Sequence, residues 1–276
     1  MAATAATLSL LLISSGCRSA ASTHSPQVVA HRGGSLLAPE NTLAAFRAGI
    51  ASGADVLELD LHQSSDGELI VIHDAKLERT TGRSGSVSLY PKEALIGFEA
   101  TTSYQGDPGA GDTTIPSFAS VLELVAEYPD LELQVEIKVD ANKNRYPEIE
   151  DKSVAALRDA SLMDRAVIIS FDQPTLQSIQ TLAPELPTGL LVGSSYLKMR
   201  RTMGAKAIVK EIVQTGVQYV GIDYRALTTN LYRALRKTDL IVGVWTVNSE
   251  EELRKYIALG VDFITTDDPA LLASLL

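Results

Sequence analysis

The stretch Val56-Leu57-Glu58-Leu59-Asp60-Leu61-His62 decides the fold. Side chains alternate faces along a strand. Leu57, Leu59 and Leu61 therefore share one face, and Glu58, Asp60 and His62 share the other. The leucines are suited to packing on surrounding helices, which turns the two carboxylates toward a barrel interior. Adjacent carboxylates there repel each other and are costly to desolvate. A bound divalent cation relieves both costs. A second stretch repeats the pattern: in Leu133-Gln134-Val135-Glu136-Ile137-Lys138, Val135 and Ile137 face outward while Gln134, Glu136 and Lys138 face inward. Glu136 is then a third inward carboxylate. Three hard oxygen ligands without sulfur suit one Mg²⁺ or Ca²⁺, with water or substrate oxygens completing the shell. The competing reading of Glu136 and Lys138 is a self-satisfying ion pair.

Outward from these two stretches, short β-rich runs alternate with helical patterns after Pro26. The strand candidates are 28–30, 56–61, 131–139, 166–170, 188–192, 219–222, 240–246 and 261–265. Helices are expected to start near Asn41, Ser117, Glu148, Gln173, Met203, Thr228, Ser249 and Pro269. Thr228 and Ser249 are good N-caps, and Glu252 stands at capping-box spacing from Ser249. Eight βα units predict an α/β fold, a (β/α)8 TIM barrel with a small insertion after the second strand. The insertion spans 63–115 and should lie over the C-terminal mouth, where barrel active sites form.

The chain has 276 residues, and its 24 basic and 34 acidic residues give a net charge of −10, which argues against general nucleic-acid binding. Its one cysteine, Cys17, excludes an internal disulfide and a cysteine-ligated zinc site. Residues 1–16 lack charge and carry a short apolar run, as an export signal does. Cleavage before Cys17 would make the protein lipid-anchored there, with 17–26 as a tether; an ordinary cleaved leader is the alternative. The expected location is the periplasm or cell envelope. The single barrel domain is 27–276.

The loop His31-Arg32-Gly33-Gly34 opens at the expected catalytic face, and Ile72-His73-Asp74 supplies a second histidine. His exchanges protons near neutral pH and Arg grips phosphate bidentately. His24 in the tether and His62 at the mouth read as solvated residues, with substrate contact a lesser option for His62. Nucleophile-elbow, P-loop and dinucleotide fingerprints are lacking.

These residues occur together with Pro39-Glu40-Asn41-Thr42, Asp66-Gly67, Arg79-Thr80-Thr81-Gly82, Ile115-Pro116, Ser170-Phe171, Trp245-Thr246-Val247-Asn248 and Thr266-Asp267-Asp268-Pro269. In this order they resemble the glycerophosphodiester phosphodiesterases, from about residue 28 to the C-terminus. The resemblance implies metal-dependent hydrolysis of a small-molecule glycerophosphodiester to glycerol 3-phosphate and an alcohol. It also implies Glu58, Asp60 and Glu136 as metal ligands, His31 and His73 as general acid and base, Arg32 and Lys138 as phosphate-binding groups, and Glu40 as a supporting residue beginning the first helix. Phe171 and Trp245 are implied as apolar walls, with ordinary barrel packing the alternative. Ser64 and Arg236-Lys237 depart from the family pattern away from this chemistry. The other functional readings are lysophospholipase D-like hydrolysis on the same barrel, and a non-catalytic anchored protein that captures phosphodiesters. No protein partner is expected.

Overall fold

Eight parallel strands close into a ring in the computed structural model, which describes residues 25–109 and 111–276. The 1–16 signal, Cys17, His24 and all but the last two residues of the 17–26 tether lie outside the described residues. Among the described residues, no helix is long and apolar enough to cross a membrane.

The strands are β1 (Gln27–Ala30), β2 (Val56–Gln63), β3 (Leu69–Val71), β4 (Glu132–Ile137), β5 (Ala166–Ser170), β6 (Thr188–Val192), β7 (Tyr219–Asp223), β8 (Ile241–Trp245) and β9 (Phe263–Thr266). The ring runs β1, β2, β4, β5, β6, β7, β8, β9 and back to β1, all parallel; β3 returns antiparallel against β2. This is the expected (β/α)8 barrel. A helix follows each barrel strand, and the connection after β2 carries the expected insertion.

The two deciding stretches pair with each other. In the β2–β4 register Glu58 lies opposite Gln134 and Asp60 opposite Glu136. Leu57, Leu59 and Leu61 are fully buried on the outer face against Phe118, Val121 and Val125 of the helix Phe118–Ala126. That burial fixes the register, because a slip of one residue would turn the leucines inward and the acids outward. Below the site, Val29, Val56 and Phe263 plug the barrel. Gly243 makes room for the Phe263 ring, since a Cβ there would sit 2.1 Å from it.

The insertion has its own apolar cluster of Ile70, Ile72, Leu77, Val87, Leu95 and Ile115. It therefore holds the His73-Asp74 loop and the short helix Glu78–Thr81 as a fixed cover at the mouth.

Local details depart from expectation. The third barrel strand ends at Ile137, so Lys138 lies just past it, although its N–H still bonds the Leu61 carbonyl. A short helix, Ser194–Met199, precedes the one expected near Met203, which starts at Ala205. Ser249 caps its helix, but the Glu252 carboxylate pairs with Lys255 and does not complete a capping box. Glu40 does not begin the first helix; it sits in the preceding loop, and Thr42 caps Leu43–Ala51.

Replacing Leu59 by Ala should cost about 2–5 kcal/mol, because the buried site cannot fully collapse around the lost atoms. A denaturant midpoint unchanged from wild type would show that the outer face of β2 does not anchor the barrel.

Candidate active site

The charged side chains at the mouth come from β2, from β4 and the residue after it, from the loops after β1 and β9, and from the insertion after β2. Glu58, Asp60 and Glu136 are buried on β2 and β4. One ligand oxygen from each lies within 4.8 Å of the others, so the three can hold a metal ion. Lys138 Nζ lies 2.9 Å from Asp60 Oδ1 and 2.6 Å from Glu136 Oε1. The ion pair left open by the sequence is thus present, but it does not satisfy the cluster. Glu58 accepts a bond from the Arg32 backbone N–H at 2.8 Å and has no ion-pair partner among the described residues. Burial, with repulsion from Asp60 and Glu136, pushes the Glu58 carboxyl well above the carboxylate range. Burial likewise raises Glu136 to about 7, against the pull of Lys138 and with repulsion from Asp60. Asp60 is held low: burial opposes its charge, but Lys138, His73 and Arg32 outweigh it. Asn41, at a positive φ of 57°, donates to Asp60 at 2.7 Å. The donor set is all oxygen and carries more negative charge than Lys138 and Arg32 neutralise, which suits a hard divalent cation.

The loop after β1 delivers His31 and Arg32. Arg32 adopts the left-handed region, and Gly33 follows at φ 86°, pressed against the first helix so that a Cβ would meet Ala45 and Phe46 backbone at 2.7 Å. This packing turns the Arg32 guanidinium inward, where Nη1 bonds Glu40 at 2.8 Å and Nε lies 3.6 Å from Asp60. His31 Nδ1 donates to Asp267 Oδ1 at 2.5 Å, and Ser35 and Asn248 donate to the same carboxylate. His73 Nδ1 donates to Asp74 at 2.7 Å. Burial lowers His73 below the ordinary histidine value, with Asp74 opposing. A carboxylate can only accept, so each pairing places the proton on Nδ1 and leaves Nε2 without a carboxylate partner.

A cavity of about 150 Å³ brings these groups together. Its walls include His31, Arg32, Glu58, His73, Glu136 and Lys138, closed on one side by Phe171 and Trp245. Asp60 does not line it but contacts Lys138 and Arg32, which do. Phe171 is half exposed and meets Trp245 edge to face at 5.5 Å, so it is a rim group and not barrel packing. A wider opening of about 740 Å³ continues past His73 and Phe171, rimmed by Lys76, Lys143, Asp140 and Asp172.

His62 corrects the sequence reading. It is not solvated: its Nε2 donates to the His73 carbonyl at 3.0 Å, and Nδ1 accepts from the Tyr146 hydroxyl at 2.7 Å. Burial lowers it to about 4, so it stays neutral and props the His73 backbone. The sequence assigned no role to Asn41, Asp74, Arg79, Asn248 or Asp267. All five stood within the family motifs, which was the only signal for them.

The fold and this mouth define a (β/α)8-barrel enzyme that handles an anionic ester. Comparison with known proteins then specifies it. The model of the glycerophosphoryl diester phosphodiesterase family matches residues 31–271; the chain belongs to that family and is a phosphoric diester hydrolase. It is 35% identical over 249 residues to a glycerophosphodiester phosphodiesterase of Bacillus altitudinis, covering 88% of this chain and 95% of that one. It is 33% identical over 248 residues to one from Caldanaerobacter subterraneus subsp. tengcongensis, covering 90% and 96%. Among solved structures, it is similar to an Oleispira antarctica phosphodiesterase in complex with the product sn-glycerol-3-phosphate. That match has a TM-score of 0.72 and 25% identity, covering 91% of this chain and 96% of that one.

Asp267 yields a pH prediction. Burial raises its carboxyl, but His31, Ser35 and Asn248 outweigh burial and hold it at about 2, below the ordinary aspartate value of 3.8. A depressed carboxyl contributes stability above its unfolded value and loses it as pH falls through its folded value. Between pH 3.8 and about 2, wild type should therefore lose about 2 kcal/mol more unfolding free energy than Asp267→Asn. Parallel acid limbs for the two proteins would contradict the pairing.

Proposed function

We propose that the protein hydrolyses glycerophosphodiesters to glycerol 3-phosphate and an alcohol, using one divalent cation, Mg²⁺ or Ca²⁺, and two histidines. One observation carries the reading: two carboxylate-backed imidazoles, two cations and two of the three clustered acids line a single small cavity. Glu58, Asp60 and Glu136 would hold the metal, which when bound supplies Lewis-acid neutralisation of a phosphoryl oxygen. Arg32 and Lys138 bind the phosphodiester and stabilise the charge that grows on it. One imidazole Nε2 takes the proton from the attacking oxygen, and the other gives a proton to the leaving oxygen. Asp74 and Asp267 accept from Nδ1 of the two rings, so the base acts as the neutral Nδ1–H form with Nε2 free, and the acid acts as an imidazolium, protonated on both nitrogens, that gives up its Nε2 proton. Phe171 and Trp245 close off water on one side. The charged groups Lys76, Asp140, Lys143 and Asp172 around the wider opening support a short polar diester over a lysophospholipid, whose glycerol carries a long acyl chain.

The cell envelope is the proposed location, with a lipid on Cys17. The uncharged leader and the small residues before that cysteine support it. Failure of Cys17 to take up labelled fatty acid in cells would remove the anchor.

Hydrolysis of glycerophosphocholine should stop in EDTA and return on adding Mg²⁺ or Ca²⁺. Full turnover in EDTA would overturn the metal role. His31→Ala and His73→Ala should each lower kcat by roughly 10²–10⁴-fold, the range for lost acid–base catalysis. Near wild-type turnover in either variant would remove that histidine from the mechanism.

A further inference from the structure

We propose that Arg79 is a positioning residue that aligns the phosphate-binding Arg32 and the acid–base His73 together, from the insertion after β2. The proposal rests on the roles given above to those two residues. Arg79 projects from the short helix Glu78–Thr81 and uses three nitrogens. Nη1 and Nη2 bond the two oxygens of Glu40 at 2.6 and 2.7 Å, and Nε bonds Asp74 Oδ2 at 2.6 Å. Each carboxylate passes its remaining contact to a working group. Glu40 Oε1 accepts from Arg32 Nη1 at 2.8 Å, and Asp74 Oδ1 accepts from His73 Nδ1 at 2.7 Å.

The guanidinium is a rigid plane with fixed donor directions, so it sets the two carboxylates at one separation and one angle. A lysine ammonium is a point charge on a flexible stem and cannot hold both. Arg79 also balances charge. Without it, Glu40 would draw Arg32 away from an incoming phosphate, and Asp74 would lose the contact that stops it rotating off His73. The Arg79 side chain is 39% exposed and contributes little to the fold by itself, and Glu40, which is 12% exposed, keeps Arg32 as an ion-pair partner when Arg79 is removed. The insertion is already anchored by its own apolar cluster.

The test is steady-state kinetics of the metal-supplied enzyme on glycerophosphocholine for Arg79→Ala, Arg79→Lys, Glu40→Gln and Asp74→Asn, each with a melting curve. Arg79→Ala should both raise KM and lower kcat, each by roughly 10- to 100-fold, the range seen when partners that orient active groups are lost. Glu40→Gln should act mainly on KM and Asp74→Asn mainly on kcat. Added guanidinium ion should restore part of the kcat of Arg79→Ala and none in Asp74→Asn, while Arg79→Lys should remain impaired in both constants. Wild-type kcat and KM in Arg79→Ala would overturn the proposal. So would full restoration by Arg79→Lys, or a loss that follows the melting temperature alone. Arg32→Ala and His73→Ala serve as controls. If they keep full turnover, the site reading itself fails; if they lose it and Arg79→Ala does not, only this inference fails.

Discussion

Glu58, Asp60 and Glu136 share a desolvated pocket with one another's charges, and the surrounding structure follows from that constraint. Three buried carboxylates within reach of each other are unstable unless cations meet them. Lys138 serves two of them and Arg32 stands beside Asp60, while Glu58 is left with a single backbone N–H. The leucines on the opposite face of β2 keep the acids pointing inward. The same acids and cations would then receive a metal and an anionic diester, so the groups that strain the fold are the ones that would perform the chemistry.

The loops at the mouth answer this constraint by tying distant parts of the chain together. Asp267 after β9 holds His31 after β1, across the seam where the barrel closes. Asn41 of the first loop braces Asp60 on β2. The buried His62–Tyr146 pair supports the His73 backbone from the loop after β4. A rigid scaffold with its chemistry carried on loops is the usual division of labour in such barrels. Here the insertion joins the scaffold as a small core of its own, which lets a surface loop present His73 at a fixed place.

Much of this was legible in the sequence because strand alternation is a strong signal. The leucines of 56–62 and the pair Val135 and Ile137 identified the outer faces, and parity then placed Glu58, Asp60, Glu136 and Lys138 inside. Contacts across loops were not legible, since no periodicity governs them. The parity of His62 was readable, yet its burial depended on Tyr146, 84 residues away. The same holds for Arg79 reaching Glu40 across 39 residues. The family motifs marked these positions without saying what each side chain touches. The start of Leu43–Ala51 was displaced because Asn41 is taken by Asp60, which leaves Thr42 as the cap.

Calorimetric titration of metal-depleted protein with Mg²⁺ and with Ca²⁺, in the absence of substrate, tests the acid cluster most directly. The account predicts one saturable site per chain for at least one of the two ions, lost in Glu58→Gln while that variant keeps its fold. A wild-type protein that binds neither ion, or a Glu58→Gln variant that binds as tightly as wild type, would contradict it.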